Sequence, residues 1–217
     1  MFTGLIQQVA GLREARTIPA GKRLILELDE ALPQPELGES IAVNGVCLTA
    51  TGFDGTVFTV DASFESLERT SLARVQPGSR FNIERALRLS DRLGGHLVTG
   101  HVDGMGSVVR ISDRGQFKEI RVRAPADLLG QIAPKGSITI DGISLTVNEV
   151  EGDSFTVAVI PHTLGNTTIG DWRSGGQVNL ETDVIAKYVE RLMDRSRSRA
   201  SLEDFLAGAG GRSSEGK

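Results

Sequence analysis

Cys47, His101, Ser144 and Lys135 are side chains of reactive or ionisable type at places where folding alone gives little reason for them. They stand out because the chain is written twice. Asn44-Gly45-Val46-Cys47-Leu48-Thr49 returns as Asp141-Gly142-Ile143-Ser144-Leu145-Thr146, an offset of 97 from position 44 to position 141. The same offset pairs Ser40 with Ser137, Leu67 with Leu164, Gly78 with Gly175, Asn82 with Asn179 and Glu84 with Glu181. Thr3-Gly4 matches Thr99-Gly100 at an offset of 96. Matched positions report shared folding needs; mismatched polar positions are where the halves could have taken different work. Cys47 faces Ser144, His101 takes the place of Leu5, and Lys135 that of Gly38. Phe2 faces Val98, and Phe64-Glu65-Ser66 faces Pro161-His162-Thr163. These differences fall in the start, the middle hairpin and the late loop of each copy. Such segments converge on one rim of an antiparallel barrel, which implies a small-molecule site in each half, similar but unequal.

Each residue also has a bland reading. A lone cysteine in an apolar strand is usually a buried small hydrophobe. His101 alone reads as a strand-end histidine, Lys135 after Pro134 as a turn lysine, and Phe2 as a core anchor. His96 and His101 are five apart with no Glu or Cys in zinc-site register, which argues against a metal. No phosphate loop, Gly-x-Ser-x-Gly elbow or Walker pattern occurs.

A period this long is not that of a solenoid, and each copy is large enough to be a domain. The expected divisions are 1–95, 96–183, a helix over 184–207 and an unstructured tail over 208–217. Short runs rich in Val, Ile, Leu, Thr and Phe, such as Arg23–Leu28, Ser40–Ala50, Val57–Ala62 and Arg80–Arg85, alternate with Gly, Pro and Asp clusters. They recur as Glu119–Ala124, Ser137–Val147, Ser154–Ile160 and Gln177–Thr182, the pattern of one antiparallel barrel or sandwich per copy. Single helical turns are expected at Glu65–Arg69, Thr163–Gly165 and Ala126–Gly130. Asp91–His96 reads as a short connection running straight into the first strand of the second copy. After Asp183 the period changes. Ile185, Val189 and Leu192 mark an amphipathic helix whose apolar stripe suits an oligomer seam.

With 39% hydrophobic and 24% charged residues, the chain can fill two cores. A net charge of −4 leaves no footprint for nucleic acid or anionic membrane. The start MFTGLIQQV lacks the look of a secretory signal, and no apolar run approaches the roughly 18–20 residues of a membrane span. One cysteine fits a reducing cytosol. A cytoplasmic protein is expected.

The quoted phrases, together, resemble the riboflavin synthase α-chain family. Met1-Phe2-Thr3-Gly4-Leu5-Ile6 is similar to its opening, the two six-residue phrases to its central signatures, and Gly94 through Val102 to its inter-barrel phrase. Ile160-Pro161-His162-Thr163-Leu164 is similar to its late one. The likeness spans roughly Met1 to Leu192, and the stripe matches the family's trimerising helix.

The resemblance implies two six-stranded Greek-key barrels, a C-terminal helix and a homotrimer with active sites between subunits. It implies dismutation of two 6,7-dimethyl-8-ribityllumazine molecules to riboflavin and 5-amino-6-ribitylaminouracil, with no cofactor and no metal. Carried over by position, the N-barrel pocket holds Gly4, Leu5, Ile6, Ser40, Cys47, Leu48, Thr49, Asp61, Ala62, Ser63, Phe64, Glu65 and Ser66. The C-barrel pocket holds Gly100, His101, Val102, Lys135, Ser144, Leu145, Thr146, Val159, Ile160, Pro161, His162, Thr163 and Leu164. By the same carry-over Cys47, Ser144 and Thr146 flank the ring, His101 transfers a proton and Phe2 packs beside the reacting rings. Asp183 precedes the helix. The competing reading is a non-catalytic lumazine- or flavin-binding carrier, against which stand both signatures, Cys47, His101 and the apolar tail. A flavin reductase needs a nucleotide-binding partner domain for which the chain has no length.

Overall fold

The computed structural model describes residues 1–194. Strands β1 (Gln8–Ile18), β2 (Gly21–Leu28), β3 (Ser40–Val43), β4 (Val46–Asp54), β5 (Val57–Ser63) and β6 (Arg80–Arg85) close into one antiparallel barrel. Around it the order is β1-β2-β5-β4-β3-β6, with β6 pairing back onto β1. Strands β7 (Gly104–Arg114), β8 (Phe117–Arg123), β9 (Ser137–Ile140), β10 (Ile143–Glu151), β11 (Ser154–Val159) and β12 (Gln177–Thr182) close a second barrel in the same order. The duplication is therefore a duplication of a whole Greek-key barrel. Closure removes sheet edges that would otherwise be free to pair with other chains.

Alternation drives each wall. In β2 Leu24, Leu26 and Leu28 point inward while Arg23, Ile25 and Glu27 face outward, half-buried or exposed. Leu24, Ile41, Leu48, Val60, Phe58 and Phe81 fill the first core. Ile120, Ile138, Leu145, Val147, Phe155 and Val157 fill the second. Each such side chain contributes about 1.5–3 kcal/mol on burial. Register shifts at Leu12/Glu14 and Ala50/Gly52 recur at Val108/Arg110 and Val147/Glu149, where bulges bend the strands around each barrel.

Three sequence expectations change in detail. Ser40–Ala50 and Ser137–Val147 are each two strands, not one. Asn44 (φ 47°) and Gly45 (φ 79°) form the hairpin turn between β3 and β4, and Asp141 (φ 47°) with Gly142 (φ 78°) repeats it. Positive φ at both central residues is the primed turn that Asn-Gly and Asp-Gly favour. The connection from Asp91 does not run into a strand. It enters an extended arm whose Val98 bridges Phe2, and β7 begins only at Gly104. The expected helical turns become α1 (Phe64–Arg69) and α2 (Pro161–Asn166), while the third is a 3₁₀ turn at Leu129–Gln131.

Residues 184–194 form helix α3. Asp183 caps it, its Oδ1 accepting from the Ile185 N–H at 2.9 Å. Polar contacts hold it to the second barrel. Lys187 Nζ lies 2.7 Å from Asp103 Oδ1, and Gln131 Nε2 donates to Glu190 Oε2 at 2.5 Å. The stripe itself is turned away: Ile185, Val189 and Leu192 are 62%, 49% and 63% exposed. The expected continuation of the helix to 207 and the tail from 208 lie outside the described residues. Among the described residues no helix is long and apolar enough to cross a membrane.

Candidate functional site

The two barrels meet across a pseudo-twofold axis on which the repeated phrases lie. The Asn44-Gly45 and Asp141-Gly142 turns touch there. A Cβ on Gly45 would fall 2.8 Å from Gly142 N, and one on Gly142 2.6 Å from Gly45 N, so neither glycine can be replaced. Asn82 Nδ2 donates to the Asp141 carbonyl and Asn179 Nδ2 to the Asn44 carbonyl, both at 2.9 Å. The other face of each amide is used as well: Asn82 Oδ1 accepts from Thr168 N–H and Asn179 Oδ1 from Ser71 N–H, both at 2.8 Å. These matched asparagines are the clasp between domains.

The arms before β1 and β7 carry the clasp to the site. Glu84 accepts from Thr3 N–H and Oγ1 at 2.7 Å and from Gly4 N–H at 2.9 Å. Glu181 does the same for Thr99 and Gly100. Burial pushes both carboxyls upward, and the hydroxyl and N–H donors pull them back. Anchored this way, each arm reaches over to the other barrel. The Gly100 carbonyl accepts from Cys47 N–H, and the Gly4 carbonyl from Ser144 N–H, both at 2.8 Å. A side chain on either glycine would strike Cys47 or Ser144 with its Cβ at 2.6 Å, and both have positive φ.

This exchange corrects the grouping of site residues by copy. Gly100, His101 and Val102 accompany Cys47 of the first barrel, and Val102 packs against the first core. Gly4, Leu5 and Ile6 accompany Ser144 of the second, and Ile6 packs against the second core. Phe2 is fully buried with Val98, Ala42 and Cys47 in a cluster shared by both halves. The sequence could not reveal this, because it shows which segments match and not which barrel an arm covers.

Around each hairpin the outward faces carry the remaining candidates. Ser40, Thr49 and Asp61 are successive cross-strand neighbours on β3, β4 and β5. Ser137 and Thr146 are the corresponding pair on β9 and β10. Leu48, Ala62, Leu145 and Val159 are buried in the cores. Ser63 caps α1, its Oγ accepting from Ser66 N–H at 3.2 Å, and Phe64 and Glu65 are exposed on that helix. On the second barrel Ile160, Pro161 and His162 are exposed at the start of α2, while Thr163 and Leu164 are half-buried. Lys135 is exposed and sits at φ 66° where Gly38 sits at φ 87°. Its N–H bonds the Val147 carbonyl as that of Gly38 bonds Ala50.

The structure adds one candidate pair that the sequence reading does not contain. His96 Nδ1 lies 2.7 Å from Ser144 Oγ, and its N–H donates to the Thr3 carbonyl at 3.2 Å. Burial lowers the imidazole pKa, and the Asp183 charge opposes that. A neutral imidazole here can take the Ser144 hydroxyl proton, the arrangement that activates a hydroxyl for attack or proton transfer. The repeat offset explains why comparing copies could not flag His96. At an offset of 96 its counterpart would precede Met1, so it has no partner to differ from. His101 is exposed, its N–H donating to Thr99 Oγ1 at 3.3 Å.

The family model for the lumazine binding domain matches twice, at residues 3–86 and 99–183, one match per barrel. A riboflavin synthase of Actinobacillus pleuropneumoniae is 41% identical over 97% of this chain and its own full length. That of Bacillus subtilis is 37% identical, covering 93% of this chain and 94% of the relative. The crystal structure of LumP complexed with riboflavin superposes with a TM-score of 0.76 at 24% identity, over 84% of this chain and 99% of that one, which shows a shared fold. With both barrels matched and whole-length relatives at this identity, the chain belongs to the riboflavin synthase family, enzymes built of two lumazine-binding barrels.

Proposed function

We propose that the chain converts two molecules of 6,7-dimethyl-8-ribityllumazine into riboflavin and 5-amino-6-ribitylaminouracil in the cytosol, with one lumazine on each barrel's outward face. The observation that carries this is the inequality of two otherwise matched sites. Ser144 has an imidazole on its hydroxyl, whereas Cys47, which is in no disulfide, has the Gly100 carbonyl on its N–H and no imidazole bonded to its sulfur among the described residues. A dismutation needs that asymmetry, because identical reactants must play different parts. One lumazine loses a proton from its acidic C7 methyl, and the other accepts a nucleophile at C7. Backbone groups at the hairpins hold the pyrimidinedione edges. Ser144 with His96, Thr146, Cys47 and His101 supply proton transfer and nucleophile, and Phe2 backs the rings. Holding both rings face to face removes an entropic barrier of several kcal/mol.

Each pocket lies on an exterior wall, so a ring bound there keeps one face uncovered. Together with the exposed stripe of α3, this supports a homotrimer in which the first barrel of one subunit meets the second barrel of a neighbour. Truncation after Thr182 is expected to give mainly monomer with little activity. A fully active truncated monomer in sedimentation would overturn the intersubunit site. For the reaction itself, purified protein is mixed with the lumazine alone and riboflavin absorbance is followed. Turnover without added metal or nucleotide is expected. Binding without turnover, loss of activity on chelation, or a requirement for NADPH would each overturn the reading.

A further inference from the structure

The two pockets differ in a charge that neither the repeated phrases nor the reaction requires. On the first barrel four outward positions line up across four strands: Ser40 on β3, Thr49 on β4, Asp61 on β5 and Arg23 on β2. Arg23 clamps Asp61 through two parallel bonds, Nε to Oδ1 at 2.7 Å and Nη2 to Oδ2 at 2.8 Å. Such a fork fixes orientation as well as charge. The Arg23 guanidinium holds the Asp61 carboxyl below the usual carboxylate range. The second barrel has no such clamp. The position of Asp61 is Ala158, whose β8 partner is Glu119, and Glu119 bonds Arg114 outside the row. In addition Lys135 replaces Gly38 at the neighbouring loop. One row therefore has a clamped carboxylate next to Thr49. The other has a methyl group at that position, with Lys135 on the loop before β9.

Cys47 and Thr49 share the outward face of β4, about 7 Å apart, and Ser40 and Asp61 flank Thr49 at roughly 5 Å on either side. A ring bound over this face, as the proposed function requires, brings its polyol tail within reach of the Asp61 carboxylate. We propose that the Arg23–Asp61 pair makes the first-barrel pocket selective for the uncharged polyol form of the ligand against its phosphomonoester, and that the second-barrel pocket lacks this selectivity. The carboxylate accepts a hydroxyl hydrogen bond. A phosphate dianion approaching from Thr49 meets this carboxylate one strand before the Arg23 guanidinium that balances it, and the clamp keeps the carboxylate from rotating away. The second pocket presents no anion at that position, and Lys135 is of the sign that a phosphate favours.

Titration of the full-length protein with riboflavin and with flavin mononucleotide, followed by flavin fluorescence, tests this. The expected result is two riboflavin sites per chain, with one of the two mononucleotide sites weaker by roughly tenfold. Asp61→Asn should bring that weak site to within about threefold of riboflavin, and Ala158→Asp should weaken the other mononucleotide site while leaving riboflavin bound. The discrimination should also shrink as ionic strength rises. Equal affinities in the unmodified protein, or an Asp61→Asn variant that weakens both ligands alike, would overturn the selectivity and leave the enzymatic reading standing. Failure of the unmodified protein to bind riboflavin or lumazine at all would overturn both.

Discussion

The first barrel and the second share strand order, bulge positions, hairpin turns and the clasp of Asn82 and Asn179, yet they differ at several of the positions proposed to touch a ligand. The first has Asn44 in its turn, Cys47 after it, a glycine at 38 and Asp61 on its wall. The second has Asp141, Ser144 with His96, Lys135 and Ala158. Duplication supplied two copies of a scaffold whose stability rests on the matched residues. That left the mismatched ones open to diverge. A way to test this division is to alter the mismatches one at a time and ask whether stability or chemistry responds.

The largest response is expected from Asp141, where the copies differ in charge at the axis itself. Full burial raises its pKa from 3.8 to about 7, opposed by the Asn179 N–H and by Trp172. Its counterpart Asn44 cannot titrate. Because the folded pKa lies above the unfolded one, between about pH 4 and 7 the unfolded chain has lost a proton that the folded chain keeps. Stability contributed by this group is therefore full below that window and falls as pH rises through it, by up to about 4 kcal/mol. Glu84 and Glu181, also raised, add slopes of the same sign. Asp141→Asn keeps the acceptor for Asn179 and removes the proton. Urea unfolding at a series of pH values should show a flatter profile for this variant, and an unchanged slope would refute the assignment.

Next in size is the pair without a counterpart. His96→Gln and Ser144→Ala should each lower kcat by roughly 10²-fold, the ordinary worth of a positioned acid–base group. Both residues act through one hydrogen bond, so the double variant should be little worse than either single one. Multiplicative losses would mean that the two act independently. Cys47→Ser and His101→Gln should cost about tenfold or more in turnover, about 1.4 kcal/mol per decade, with lumazine binding and melting temperature little changed. Ser144→Cys should not rescue Cys47→Ser. Rescue would mean that the halves do not divide the work.

How much of this was legible in the sequence follows from what a repeat can report. Period-two strands are local, so many short strands per copy and the short helices after β5 and β11 could be read directly. Barrel over sandwich came with the family resemblance, and the Asn44-Gly45 and Asp141-Gly142 turns were hidden inside runs that read as single strands. The mismatches at 47/144 and 38/135 were visible as soon as the copies were aligned. The crossing of the arms was not, because it depends on Glu84 and Glu181 anchoring each arm while its carbonyl pairs with the far hairpin. The His96–Ser144 contact spans 48 residues and has no echo in the first copy, so neither periodicity nor comparison of copies could find it. The Arg23–Asp61 clamp needed the β2·β5 register, which sequence order alone does not give.

The smallest expected effect lies in the loop before β9, and it separates the two roles most cleanly. Lys135 occupies a left-handed conformation at φ 66°, and the matching residue of the first barrel is glycine at φ 87°. A residue with a Cβ in that region costs roughly 1–2 kcal/mol, while the added freedom of glycine in the unfolded chain returns about 0.4–1 kcal/mol of that. The balance predicts that Lys135→Gly, which copies the first barrel, stabilises the protein by roughly 0.5 kcal/mol. Nothing in the fold calls for the lysine, since the N–H to Val147 carbonyl bond is made equally by the glycine at 38. Strain of this kind persists where a side chain is needed for a ligand. The same variant should therefore bind lumazine more weakly at the second barrel, and the reverse change, Gly38→Lys, should lower the melting temperature without adding affinity at the first. A Lys135→Gly variant that gains stability and binds unchanged would show the lysine to be a tolerated cost, and would remove it from the set of residues by which the two pockets differ in function.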